Sequence, residues 1–169
     1  MTDNRTLHPA IRQVARAALA AAAAFSAVLL APPGTPSADA AATADARTER
    51  VHRAYRITTR QLGDPYRSGA AGPRAFDCSG LTYYAFHRAG FRRLPRTSSQ
   101  QAHFARHIRR SRMRPGDLVF FRSGGDVYHV GVFAGWRHRH RTLIHSPYPG
   151  TRVRRERIWT NNWFAGTLR

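Results

Sequence analysis

The sequence has one cysteine, no lysine, only nine acidic residues and no long apolar run among its 169 residues. A single cysteine excludes an internal disulfide and any zinc site built on cysteine ligands. The missing lysine, set against 28 arginines and abundant alanine, points to a GC-rich coding sequence before it points to a function. Scarce acid leaves a formal net charge of +19, which attracts polyanions of any kind, from nucleic acid to acidic lipid or an acidic surface polymer. Sign alone does not choose among them. No recognition helix, zinc-finger spacing or RNP-like strand is present, so no specific nucleic-acid partner is expected. The longest uncharged apolar stretch, residues 17–31, falls short of the roughly 20 residues that span a bilayer, so no membrane span is expected in the mature protein.

What is present follows an order along the chain. Arg5, Arg12 and Arg16 precede the 17–31 run, and Ala38-Asp39-Ala40 places small residues where a signal peptidase reads them. Residues 1–40 therefore read as a signal peptide, cleaved after Ala40. No cysteine follows the apolar run, which excludes a lipoprotein anchor. Residues 41–48 read as a disordered linker, continuing a stretch rich in Pro, Ala, Ser and Thr, and residues 49–169 as one domain with one core. Order is expected from Asp45, in a helix to Leu62 with Val51, Tyr55 and Leu62 facing inward and Gly63 as the stop. Pro65, Gly69, Gly72 and Pro73 mark a loop leading to the cysteine.

Phe76-Asp77-Cys78-Ser79-Gly80 opens the next helix. Asp77 is a good N-cap, and Leu81, Tyr84, Ala85 and Ala89 form an apolar stripe that Gly90 ends. Cys78 is the first helical residue, where unpaired N–H groups and the helix dipole favour the nucleophilic thiolate. The alternative is an inert thiol packed as a small hydrophobe. After a third helix capped by Thr97 or Ser98 and running to about His107, Leu118–Phe121 reads as a strand buried on both faces. Val127–Ala134 and Arg141–Ser146 read as a hairpin with its tip at Trp136-Arg137-His138. That register sets His129 directly opposite His145, on one face, close enough for one imidazole to orient the other. Cys78, His129 and His145 could then serve as nucleophile, base and orienting group.

These residues resemble the NlpC/P60 cysteine peptidases, a papain-like group. The resemblance is carried by Phe76-Asp77-Cys78-Ser79-Gly80-Leu81, Leu94-Pro95-Arg96-Thr97-Ser98-Ser99-Gln100, Pro115-Gly116-Asp117-Leu118-Val119-Phe120-Phe121, and His129-Val130-Gly131-Val132 with Ile144-His145. It covers roughly residues 50–169. It implies an α+β papain-like fold, N-terminal helices packed on a central antiparallel sheet, with Cys78 as nucleophile, His129 as base and His145 as the third member. It also implies that Tyr66 lies beside the thiol and helps hold the substrate carbonyl or oxyanion, and that Asp77 and Ser79 help bind the acyl-side residue. Asp77 as a plain helix cap and Tyr66 as plain packing are the competing readings. Arg67, Ser68, Gly69 and Ala70 depart from the family's usual Trp and paired glycines, which bears on substrate preference.

The function this implies is an exported, monomeric, wall-associated hydrolase of peptidoglycan stem peptides. It would cut the bond between γ-D-glutamyl and the diamino acid through an acyl-enzyme, with no metal and no organic cofactor. Its net charge would hold it on anionic wall polymers, and salt would loosen it. An amidase, transpeptidase or acyltransferase on the same site, or a non-catalytic basic wall-binding module, are the alternatives.

Overall fold

The structure is a computed structural model that describes residues 37–169; the basic and apolar parts of the expected signal peptide lie outside the described residues. Three helices, α1 (Ala38–Arg60), α2 (Cys78–Arg88) and α3 (Ser98–Phe104), accompany six strands. These are β1 (Arg106–Ile108), β2 (Leu118–Ser123), β3 (Asp126–Arg137), β4 (His140–His145), β5 (Arg154–Arg157) and β6 (Trp163–Thr167). The strands form one antiparallel sheet in the order β1-β6-β2-β3-β4-β5. The architecture is α+β, with helices on a central antiparallel sheet.

Helix α1 starts at Ala38 rather than Asp45, so residues 41–48, expected as linker, are helical. Ser37 caps it, its side chain accepting from the Ala40 amide, and the alanine-rich first turns have the highest helix propensity available. Val51, Ala54, Ile57 and Thr58 form its buried face. Leu62, expected to point inward, lies past the helix end and is 41% exposed; Ile57 takes the inward role. The third helix stops at Phe104, and the chain turns extended at Ala105 into β1, a short strand on the sheet edge beside β6.

Strand β2 reads as apolar on both sides because both sides are covered. Leu118 and Phe120 pack with Val130, Val132, Val51, Ala85 and Phe86 on the helix face. Val119 and Phe121 pack with Phe133, Leu143 and Trp163 on the other. Burying each such side chain contributes about 1.5–3 kcal/mol before the entropy of ordering it is counted. Gln101, fully buried on α3, fastens α3 to α2. Its amide donates to the carbonyls of Ser79 (3.0 Å) and Pro95 (2.9 Å), and its carbonyl oxygen accepts from Thr82 (2.6 Å).

The β3–β4 hairpin differs in register from expectation. Its tip is His138-Arg139, both in the left-handed region (φ 47° and 66°), and the pairs run Arg137↔His140, Trp136↔Arg141 and Gly135↔Thr142. An irregularity between Phe133 and Gly135 then shifts the ladder to Phe133↔Leu143 and Val132↔Ile144. Carried one residue further, this register sets His145 beside Gly131 rather than His129. The slip amounts to two residues, and side chains alternate with period two, so both histidines still share a face.

Candidate active site

Cys78 reaches the site from the helix layer. Asp77 caps α2, accepting from the Gly80 amide at 2.6 Å. Arg96 in turn fixes the cap, with Nη2 donating to Asp77 Oδ2 at 2.6 Å and Nη1 to Asp77 Oδ1 (3.1 Å) and Ser79 Oγ (2.9 Å). The 65–76 loop presses against this helix start: the Asp77 amide donates to the Ala70 carbonyl at 2.9 Å, and a Cβ added at Gly80 would sit 2.0 Å from that oxygen. Only glycine admits the contact.

His129 and His145 come from the sheet, on the face that carries Phe121 and Leu143. The β3–β4 ladder ends at Val132↔Ile144, and the cleft opens beyond it. Cys78, His129 and His145 line it together with Tyr66, Tyr128, Pro147, Tyr148, Arg154, Glu156 and Trp159, around a volume of about 470 Å³. A larger hollow of about 780 Å³ between α1 and the Gly90–Arg93 turn holds no nucleophile, so the chemistry belongs to the smaller one. Ser146 closes the arrangement from behind. Its buried hydroxyl donates to the Phe76 carbonyl at 2.7 Å and so ties the end of β4 to the residue two before Cys78.

The imidazoles meet at 2.8 Å, His129 Nε2 to His145 Nδ1, with their rings nearly perpendicular. His145 Nε2 continues the chain to Glu156 Oε2 at 2.9 Å, and Arg154 Nε donates to the same oxygen at 2.9 Å. Trp159, stacked on Phe121 at 4.2 Å, roofs both histidines. His129 Nδ1 is the ring nitrogen left to face the cleft.

Burial governs the titration of the site. It pushes His129 down to about 3, and the neighbouring His145 adds to the effect. Burial also lowers His145, more than the hydrogen bond and charge of Glu156 raise it. Burial pushes the Cys78 thiol up as well, against the backbone N–H groups of Val130 and Ser79, with the Asp77 carboxylate adding to the rise. The helix start favours the thiolate, as expected, but desolvation works against it and outweighs the N–H groups, just as burial disfavours the charged imidazoles. Burial works against ionised Glu156 too, but hydrogen bonds from Arg154 and His145 more than offset it and hold its pKa below the ordinary value.

Of the six residues singled out from sequence, Cys78, His129, His145 and Tyr66 line one cleft. Asp77 and Ser79 do not line it and are occupied with Arg96. Arg67 to Ala70 border a separate hollow of about 350 Å³. Sequence reading missed Glu156, Arg154 and Trp159: the first two lie in β5, a run of charge, Arg154-Arg155-Glu156-Arg157, that looks like surface, and Trp159 lies in the irregular segment that follows it. Among the described residues no group of three His, Cys, Asp or Glu is placed to hold a metal ion, and no helix is long and apolar enough to cross a membrane.

A cysteine at a helix start, facing a histidine pair on an antiparallel sheet, is the papain-like α+β arrangement. The NlpC/P60 family matches residues 63–168, and the chain belongs to that family. It is 38% identical over 129 residues to the murein DD-endopeptidase MepH of Escherichia coli, covering 71% of this chain and 46% of that protein. To a probable endopeptidase of Corynebacterium glutamicum it is 39% identical over 127 residues, covering 75% of this chain and 54% of the relative. The chain thus spans about half the length of these two relatives. Among solved structures, the NlpC/p60 domain of the peptidoglycan hydrolase SagA superposes with a TM-score of 0.62 at 28% identity, over 70% of this chain and 98% of that one. The peptidoglycan hydrolase RipB of Mycobacterium tuberculosis gives 0.60 at 26%, over 74% and 67%.

Proposed function

We propose that this chain is a cysteine endopeptidase that cuts the stem peptides of peptidoglycan, and the observation that carries the reading is the hydrogen-bonded run His129–His145–Glu156 opening on the cleft that Cys78 lines. Ionised Glu156 accepts from His145 Nε2–H. A neutral His145 then has a lone pair on Nδ1, which accepts from His129 Nε2–H. His129 Nδ1 is consequently a lone pair, the form a general base needs.

In the reaction, Cys78 Sγ attacks the scissile carbonyl as His129 Nδ1 takes the thiol proton. The imidazolium that forms is stabilised through His145 by the Glu156 carboxylate. The tetrahedral oxyanion is met by the Cys78 amide at the helix start, with the Tyr66 phenol at the rim. The C–N bond breaks as His129 returns the proton to the leaving amine. Water, deprotonated by His129, hydrolyses the thioester and frees Cys78. Asp77 and Ser79 act on the acyl side through the Arg96 clamp that fixes the helix start.

The bond we assign is that between γ-D-glutamyl and the diamino acid. The name of the E. coli relative, a DD-endopeptidase, supports a second reading, in which the bond joins two D-configured residues. Export follows from residues 1–40 read as a signal peptide; cleavage after Ala40 would remove only the start of α1 and none of its buried face. We place the enzyme at the wall as a monomer, held partly by its charge. Digestion of purified peptidoglycan by the wild type and by Cys78→Ala, with mass analysis, tests the whole reading. New amine termini absent from the variant support it, and the fragment masses assign the bond. Equal pelleting with the wall and no fragments from either protein would make it a wall-binding module instead.

A further inference from the structure

A second concave site lies away from the cleft, between the β3–β4 hairpin and the segment joining β5 to β6. It encloses about 170 Å³ and shares no lining residue with the Cys78 cleft. Arg110, Arg139, Arg141 and Arg157 converge on it with Trp136 and Trp163, and no acidic residue lines it. Among the described residues none of these four guanidiniums meets a carboxylate in an ion pair.

The cluster is built rather than merely solvated. Arg110 lies over the Trp163 ring at 4.1 Å, and its Nη2 donates to the backbone oxygens of Asn161 (2.8 Å) and Trp163. Arg141 lies over Trp136 at 4.5 Å and within 6.0 Å of Trp163, and its Nε is buried without an acceptor. Stacking on indole fixes a guanidinium plane at little entropic cost and leaves its edges free to donate. Like charges held this close repel, and burial together with Arg141 and Arg122 lowers the Arg110 pKa. A bound anion would relieve that repulsion. A carboxylate offers two oxygens to such a fork, whereas a phosphate offers enough to meet several at once. Trp136, 60% exposed at the rim, presents an apolar face to whatever carries the phosphate.

We propose that this pocket binds a phosphate group of a polyol-phosphate chain, giving the protein an anchoring site independent of its peptidase cleft. The test is titration of the full chain with poly(glycerol phosphate) at fixed ionic strength, read by tryptophan fluorescence, with inorganic phosphate as competitor. Polygalacturonate and a DNA duplex serve as parallel ligands.

Arg141→Ala should weaken binding about tenfold, through the loss of a charge-assisted fork. Arg53→Ala removes the same charge from an exposed position on α1 and should cost less than about twofold. Arg141→Lys, which keeps the charge and loses the fork, should fall with Arg141→Ala. Arg139→Ala at the exposed hairpin tip gives a reading that does not depend on packing under β4. Thermal melts and unchanged peptidoglycan hydrolysis establish that the variants are folded. Equal losses in the Arg141 and Arg53 variants would overturn the proposal in favour of diffuse charge. Equal or tighter binding of polygalacturonate or DNA would overturn the polyol-phosphate assignment. Because the cleft is untouched, failure here leaves the peptidase reading standing, and the reverse also holds.

Discussion

At the scale of single residues, the chemistry depends on which nitrogen of each imidazole carries its proton, and Glu156 is the residue that decides it. Without a carboxylate at His145 Nε2, the neutral ring can place its proton on either nitrogen, and half the arrangements present His129 with the wrong partner. Glu156→Ala should lower kcat about a hundredfold, and Glu156→Gln, which keeps an acceptor but not the charge, about tenfold, both with KM nearly unchanged. Steady-state kinetics on a defined stem peptide, alongside thermal melts, separates this from a structural effect. A fall in melting temperature with kcat intact would reduce Glu156 to a brace for Arg154. The pair also shows what sequence could not reveal. Asp77, Cys78, His129 and His145 announce themselves through type and context, but Glu156 is one acid inside an arginine-rich strand. Its role appears only once β5 lies against β4 and pairs His145 with Arg154.

At the scale of elements, the site depends on how closely β3 and β4 approach beside the cysteine helix, and Gly131 controls that approach. A Cβ there would lie 2.5 Å from Leu143 Cδ1 and 3.1 Å from both His145 Cβ and the Ile144 carbonyl. Gly131→Ala should force β4 outward, costing about 1–3 kcal/mol of stability from overpacking. It should also lower kcat about a hundredfold, by stretching the 2.8 Å contact between the histidines. Melting curves and kinetics on the same preparation check both, and full activity in a destabilised variant would show that the spacing is not critical. Elements with strong local signals were legible: capped α2, the capped start of α3, the apolar run of β2 and the body of β3 fall where pattern and capping residues place them, although α3 ends at Phe104, short of the expected His107. Strands β1, β5 and β6 were not: β1 and β5 are short, arginine-rich edge strands whose charge reads as surface, and β6, an inner strand, is only five residues with a glycine inside it. The hairpin register was misplaced by two residues because the His138-Arg139 turn carries no glycine or asparagine, and because Gly135, at the irregularity with φ 91°, reads as an ordinary strand-end residue rather than as a bulge. Alternation forgave the error.

At the scale of the whole molecule, two effects make the protein acid-sensitive, and they can be separated. The first is the net charge of +19, which grows as the pH falls and adds self-repulsion. The second is His129, buried and neutral, with its pKa lowered to about 3 from 6.5. Above pH 6.5 this histidine is neutral in both folded and unfolded chains and stability does not depend on it. Between 6.5 and 3 the unfolded chain binds a proton that the folded one refuses, so stability falls as pH falls, by about 1.4 kcal/mol per pH unit at most. His145, lowered by the same burial, acts in the same direction, and the two titrate as a coupled pair. Over that window the loss is on the order of a few kcal/mol, a large share of the 5–15 kcal/mol typical of a domain. The melting temperature should therefore drop steadily from pH 7 to pH 4. His129→Gln keeps the surface charge while removing the buried proton acceptor, so its melting temperature should start lower at pH 7 and then decline with a visibly shallower slope. Calorimetry at constant ionic strength gives both slopes. Parallel slopes would assign the acid sensitivity to surface repulsion and remove His129 from the account.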